Sequence, residues 1–142
     1  MMTPEMAEKV KRSVIGHEGM SNFPYEDTLG NTTIGIGYNL TTRGLPDEWI
    51  NKQYLEDVNY FYQCLSQFVW FHQLNTDRQI ALIDMAFMGW KKFLSFRNML
   101  QALSLHNYER AADEMLDSLW ASQVKGRAQQ LADAIRSGVY NI

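Results

Sequence analysis

The chain has 142 residues, 46% of them hydrophobic and 13% aromatic, which is enough apolar surface for one buried domain and too little length for two independent ones. A net charge of −3, a pI near 5.5 and no basic cluster longer than Lys9–Lys11–Arg12 exclude the positive field that a nucleic-acid partner requires. No run approaches the roughly 18 apolar residues that span a bilayer, and the opening "MMTPEMAEKVKRSV" lacks the charged-then-apolar pattern of a signal peptide. Synthesis in a cytoplasm without a signal peptide and no stable membrane association are therefore expected, and action outside the cell requires a separate means of release. The acidic excess is local: residues 1–70 hold five Lys/Arg against nine Asp/Glu, and the remainder hold eight against seven.

Thr3–Pro4–Glu5 opens the first helix with a capping oxygen, a proline tolerated at the first position and an early acid. Met6, Val10 and Val14 then recur every four residues, predicting a helix over 3–17 that ends near Gly16–Gly19. From there to Leu45 the text turns to glycine, Asn, Thr and β-branched residues, with Thr32, Ile34 and Ile36 in alternation, so a small β-hairpin lobe is expected over about 17–46. Beyond Pro46–Asp47, Trp49, Ile50, Tyr54, Leu55, Val58, Phe61, Tyr62 and Leu65 keep helical spacing, which predicts a long connecting helix over about 47–69. The single Cys64, among Phe61, Leu65 and Phe68, has no disulfide partner and reads as a small buried hydrophobe.

Thr76–Asp77 starts "DRQIALIDMAFMG", apolar almost all round and so the expected central buried helix, ended by Gly89. Further helices are expected at Phe93–Leu103, Asn107–Leu116, Leu119–Gln123 and Arg127–Arg136, the last stopped by Ser137–Gly138. The class is α+β, mostly α: a single domain over 1–142 with a helical lobe over about 70–142, on which helix 3–17 packs.

The chemistry concentrates in "HEGMSNFPYEDTLGNTTIGIGY", His17–Tyr38. Its glycines fail as a dinucleotide fingerprint, because Leu40 stands where the third glycine belongs and Asn39–Gly44 does not read as a helix start. A strand explains them instead, with Thr33, Gly35 and Gly37 on one face and Ile34 and Ile36 on the other. If Leu29–Gly30–Asn31 is a three-residue hairpin loop, Asp27 lies directly opposite Thr33, at the roughly 4.5–5.5 Å Cβ separation of cross-strand pairs. A carboxylate and a hydroxyl at that separation can hold one water between them.

Glu18 falls at the C-terminal end of the first helix, where the negative pole of the macrodipole disfavours a second negative charge and suits the group to give up a proton. Glu18 and Asp27, in different environments, are thus candidates for the acid and base of a glycoside hydrolase. Glu26, adjacent to Asp27 in the strand, is expected to point to the opposite face. The bland alternative is that acids near a helix end or hairpin are merely solvated or capping.

These residues resemble the phage-type lysozymes of glycoside hydrolase family 24: "HEG", then "YEDT" with Gly30, then "TTIGIG", keeping the family's Glu, eight-residue gap, Asp, five-residue gap and Thr. The similarity extends through "ALIDMAFMG" (Ala81–Gly89), "RNML" (Arg97–Leu100), "SLW" (Ser118–Trp120) and "GRA" (Gly126–Ala128). It implies a lysozyme-like fold and an endo-acting muramidase. Such an enzyme hydrolyses the β-1,4 bond between N-acetylmuramic acid and N-acetylglucosamine of bacterial peptidoglycan with inversion and without metal or organic cofactor. Glu18 would be the general acid, Asp27 the group that positions or activates water, and Thr33 its partner; Arg127 would support the acid, and Phe87, Tyr38 and Asn39 would contact substrate.

By pattern alone Arg127 is an ion-pair residue on the last helix and Phe87 a core residue, so only the resemblance moves them to the site. A monomer is expected, serving lysis of the host cell after holin-type release to the periplasm, or carried in the virion to breach the wall at infection. The alternative is a lysozyme-like module that binds peptidoglycan or a protein without cleaving it. Members of the family often have His where this chain has Tyr38, so a His–carboxylate pair there, for instance to Asp57, cannot form. The β lobe reads as shortened, and Phe96 and Glu114 stand at two polar cleft positions.

Overall fold

The computed structural model describes residues 1–142, which form two compact units, Met1–Lys52 and Gln53–Ile142. The first unit opens with α1 (Pro4–Glu18), whose cap is the expected one: the Thr3 hydroxyl accepts from the Met6 amide at 3.2 Å. A three-stranded antiparallel sheet follows, β1 (Ser21–Glu26), β2 (Thr32–Gly35) and β3 (Tyr38–Asn39), in the order β1-β2-β3. Pro24 sits in β1, an edge strand, where its missing N–H costs no ladder bond, and the pairing with β2 is irregular between Ser21 and Tyr25.

Two details of the glycine stretch differ from the alternation the sequence suggests. β2 ends at Gly35, and Gly35 and Gly37, at φ +65° and +67°, turn the chain into β3 instead of continuing one strand face. Asn39 does start a helix: its side chain accepts from the Thr42 amide at 3.2 Å and caps the single turn α2 (Leu40–Arg43). Thr41 Oγ1 accepts from the Thr32 amide at 2.7 Å, which ties this turn back to β2.

The long helix α3 (Asp47–Leu65) carries the chain from the first unit into the second. After it come α4 (Val69–His72), α5 (Thr76–Ala86), α6 (Trp90–Leu94), α7 (Arg97–Ser104), α8 (Tyr108–Leu116), α9 (Leu119–Val124) and α10 (Gly126–Ser137). The helix expected over Phe93–Leu103 is two, because the chain breaks at Ser95–Phe96 and the Ser95 hydroxyl bonds back to the Lys92 carbonyl. Gly89, at φ +112°, stands before α6, while α5 ends three residues earlier at Ala86 with Phe87 as its cap. No helix is long and apolar enough to cross a membrane.

The hydrophobic core belongs to the second unit. Ala81, Leu82 and Met85 of α5, Ala111 and Met115 of α8, and Leu131 and Ile135 of α10 are fully enclosed, and α10 packs on both α8 and α5. The alanines at these crossings let the helix axes approach closely, and each enclosed leucine or isoleucine contributes about 1.5–3 kcal/mol by burial. Polar side chains at the start of α5 then close the end of α10. Arg78 donates to the Ile135 and Arg136 carbonyls at 2.7 and 3.1 Å with its guanidinium over the Tyr108 ring, Asn75 donates to the Gly138 carbonyl at 2.8 Å, and Asp77 accepts from the Tyr140 amide at 3.0 Å.

Gly138 makes this closure possible, since it is left-handed (φ +78°) and a Cβ there would lie 3.0 Å from Arg78 Nη1 and 3.1 Å from Asn75 Nδ2. Gly138→Ala is therefore expected to lower stability by about 1–3 kcal/mol, read as a fall in the thermal midpoint by circular dichroism. Gly126→Ala, with open space around its Cβ, should leave the midpoint unchanged or raise it.

Candidate active site

Glu18 is the last residue of α1, which Gly19 closes by donating its amide to the Ile15 carbonyl at 2.8 Å. Two contacts from the sheet fix this helix end. The Tyr25 hydroxyl donates to the Glu18 carbonyl at 3.3 Å, supplying a partner to a carbonyl that the helix itself leaves unpaired. On the other side the backbone of Gly37 lies against the side chain: a Cβ at Gly37 would sit 3.4 Å from Glu18 Cγ and 3.5 Å from its Cβ. The Glu18 side chain is exposed to solvent, as is His17 before it in α1.

Asp27 is placed by its own loop. Its Oδ1 accepts from the amides of Leu29 and Asn31, both at 2.8 Å, and its Oδ2 from the Asn31 side-chain amide at 3.3 Å. The Asp27 amide in turn donates to the Asn31 carbonyl at 2.9 Å, and Gly30 donates to the Asp27 carbonyl at 3.2 Å. This side-chain capping closes a five-residue loop, Asp27–Asn31, in place of the three-residue loop read from the sequence. The register moves accordingly: Thr33 pairs with Tyr25, and Glu26 with Thr32, so Asp27 does not lie directly opposite Thr33. The shift is two residues, which returns every side chain to the same face, and Asp27 remains diagonal to Thr33 across the hairpin.

Thr33 is the centre of a cross-strand row, with Tyr25 on one side and Asn39 on the other. It is also the single buried residue of Met1–Lys52, 5% exposed, and its hydroxyl donates to the Asn31 carbonyl at 3.4 Å. Glu18, Asp27, Thr33 and Asn39 line one cavity of about 460 Å³, together with Tyr25 and Gly37. Glu26, expected to face away, also borders it. Tyr38, one residue from Asn39, is paired with Ile34 and so belongs to the alternate row. Its ring packs against Trp49 and under the Arg43 guanidinium, and its hydroxyl donates to the Gly44 carbonyl at 2.5 Å.

Phe87 and Arg127 belong to the second unit and line a cavity of about 700 Å³ with Tyr54, Val58, Ile83 and Tyr140. The Arg127 guanidinium grips Asp84, at 2.6 Å to the carboxylate and 2.8 Å to the backbone carbonyl near the end of α5. Both side chains are substantially exposed, so the pair contributes about 0–1 kcal/mol and acts chiefly to orient the guanidinium. Phe87 is 40% exposed and its ring packs on those of Tyr54 and Phe61. Phe96 and Glu114 border a third cavity with Lys92, Asp117 and Trp120.

Tyr25, Asn31 and Asp84 escaped the sequence reading. Tyr25 stands two residues before Asp27 and therefore on its face, a signal that alternation provides. Asp84 is an acid in an otherwise apolar helix, which calls for a partner. Nothing in the spacing distinguishes Asn31 from any other loop polar residue.

A helix-end carboxyl, a loop-held carboxylate and a hydroxyl around one cavity form the kind of arrangement that two-carboxylate glycoside hydrolases use. Residues 15–136 match the sequence model of the phage lysozyme family, and the chain belongs to that family of glycoside hydrolases. It is also 31% identical to the pre-baseplate central spike protein Gp5 of Enterobacteria phage T4, in an alignment that covers 94% of this chain and 28% of the length of that protein.

The amide of Asn31 above all holds the Asp27 carboxyl below its ordinary value of 3.8; burial, the next largest effect, opposes it, and the Leu29 amide, the Asn31 side chain and the Gly30 amide add to the lowering in that order. A depressed folded-state value contributes stability that is present above 3.8 and is lost as pH falls through the folded value. The Asp27 side chain is thus expected to titrate below 3.8 by NMR. The stability gap between wild type and Asp27→Asn should narrow as the pH is lowered through that range.

Proposed function

We propose that the chain is an endo-acting muramidase that hydrolyses the β-1,4 bond between N-acetylmuramic acid and N-acetylglucosamine of bacterial peptidoglycan by an inverting acid/base mechanism, working as one domain over 1–142. The observation that carries this reading is the shared cavity of Glu18, Asp27 and Thr33 in a chain of the phage lysozyme family. Glu18 gives its proton to the glycosidic oxygen as the bond to the anomeric carbon breaks. A water held by Asp27 and Thr33 attacks that carbon from the opposite face and passes its proton to Asp27, and exchange with solvent after product release restores both groups.

Inversion needs room for the water, so a separation of about 6.5–9.5 Å between the two carboxyls belongs to this reading. Because Glu18 is exposed, the bound sugar must exclude water from it. Asn39, in the row of Thr33, has the stronger claim to touch sugar than Tyr38.

Of the two biological settings, a virion-carried enzyme that breaches the wall at infection is favoured over a freely diffusing lysis enzyme. The spike protein of phage T4 is a relative, and a net charge of −3 provides no steering toward an anionic wall, which an enzyme delivered by a particle does not need.

Clearing of permeabilised Gram-negative cells by wild type is expected to fall at least about 100-fold in Glu18→Gln, the loss of one oriented proton donor. Asp27→Asn and Thr33→Ala should impair it as well, and the first-formed product should carry the α anomer. Equal clearing by wild type and Glu18→Gln would remove the mechanism, and clearing by neither would remove it and leave the binding-module alternative.

A further inference from the structure

We infer that Asn31 is a positioning residue for the hydrolytic water, aligning the Asp27 carboxylate and the Thr33 hydroxyl so that both accept from it; this rests on the muramidase reading above. Asn31 touches both partners. Its backbone amide and side-chain amide donate to the two oxygens of Asp27, and its carbonyl accepts from the Asp27 amide and from the Thr33 hydroxyl. The consequences for the water follow from counting lone pairs.

Asp27 Oδ1, with two amides at 2.8 Å, has its acceptor directions filled. Oδ2 has the single Asn31 Nδ2 donor at 3.3 Å and keeps one direction open, so the proton-accepting lone pair is on Oδ2 and its orientation is set by Asn31. The Thr33 hydroxyl points its proton to the Asn31 carbonyl at 3.4 Å, and in that orientation Thr33 is an acceptor toward a water in the cavity. A water between the two then gives one hydrogen to Oδ2 and one to Oγ1. Its own lone pair is left facing outward, toward the carbon it attacks. An Asn at this position does by side chain what the loop backbone does for Oδ1.

The other titratable groups lining the cavity are His17, Glu18, Tyr25 and Glu26, and all are retained in the variants that test the role. Asn31→Ala removes the Nδ2 donor and keeps the backbone amide. It is expected to lower kcat about tenfold with little change in KM, and to move the acid limb of the kcat profile to higher pH, because a donor that favours ionised Asp27 is gone. Asn31→Asp keeps the shape but sets a second carboxylate against Asp27, and should move the acid limb further in the same direction.

The NMR titration of Asp27 should follow the same order in wild type, Asn31→Ala and Asn31→Asp, a readout that does not require turnover. If Asn31→Ala does not fold by circular dichroism, the limb and titration of Asn31→Asp decide. With an active wild type, an unmoved acid limb in the folded variants overturns the positioning role, whether or not kcat has fallen, and leaves the muramidase reading standing. A wild type that cleaves no peptidoglycan overturns both.

Discussion

The Asp27 carboxylate accepts hydrogen bonds from the loop that follows it, and much of the small unit depends on that closure. Met1–Lys52 buries one side chain, that of Thr33, and so has no enclosed apolar cluster of its own to set its geometry. A three-stranded sheet without such a cluster is specified by turns, caps and local side-chain bonds. Once Asp27 caps the loop to Asn31, the hairpin register follows, and the register puts Tyr25, Thr33 and Asn39 in one row. Tyr25 then reaches the carbonyl of Glu18, and the turn at Gly37 lies against the Glu18 side chain.

The second unit follows a different rule. Its enclosed residues are mostly Ala, Leu, Met and Ile on helix faces that cross closely, and its polar side chains are used at the ends of helices. Arg78, Asn75 and Asp77 secure the end of α10 and the tail beyond it, while Arg127 near the start of α10 is held by Asp84. The two cation sites are built alike, with a guanidinium shared between a backbone carbonyl at a helix end and a neighbouring side chain, which complements the negative pole of the helix. Orientation of Arg127 is thus a by-product of the way the helices are tied.

Much of the fold was legible because its signals are short-range. The Thr3 cap, the spacing of four in α1, the long apolar period of α3 and the Gly138 stop each act within a few residues. The exceptions have local competing causes as well. The Ser95 hydroxyl returning to Lys92 divides what reads as one helix, and Asn39 caps a turn too short to show periodicity. The position of Gly30 suggests a three-residue hairpin loop, whereas five hydrogen bonds at the Asp27 side chain and backbone set a loop of five.

By itself the sequence determined the class, the order of helices around one β patch, and the identity of Glu18, Asp27 and Thr33 as the residues to examine, because residue type and spacing carry those choices. Tertiary structure alone decided which neighbours join them. Tyr25 faces Thr33, Asn31 bridges Asp27 and Thr33, Asn39 enters the cavity while Tyr38 turns to Trp49, and Arg127 takes Asp84 as its partner. The physical reason is that strand alternation has a period of two. The register that sets which pairs meet is fixed by the hydrogen bonds of a loop, and a spacing pattern does not contain them.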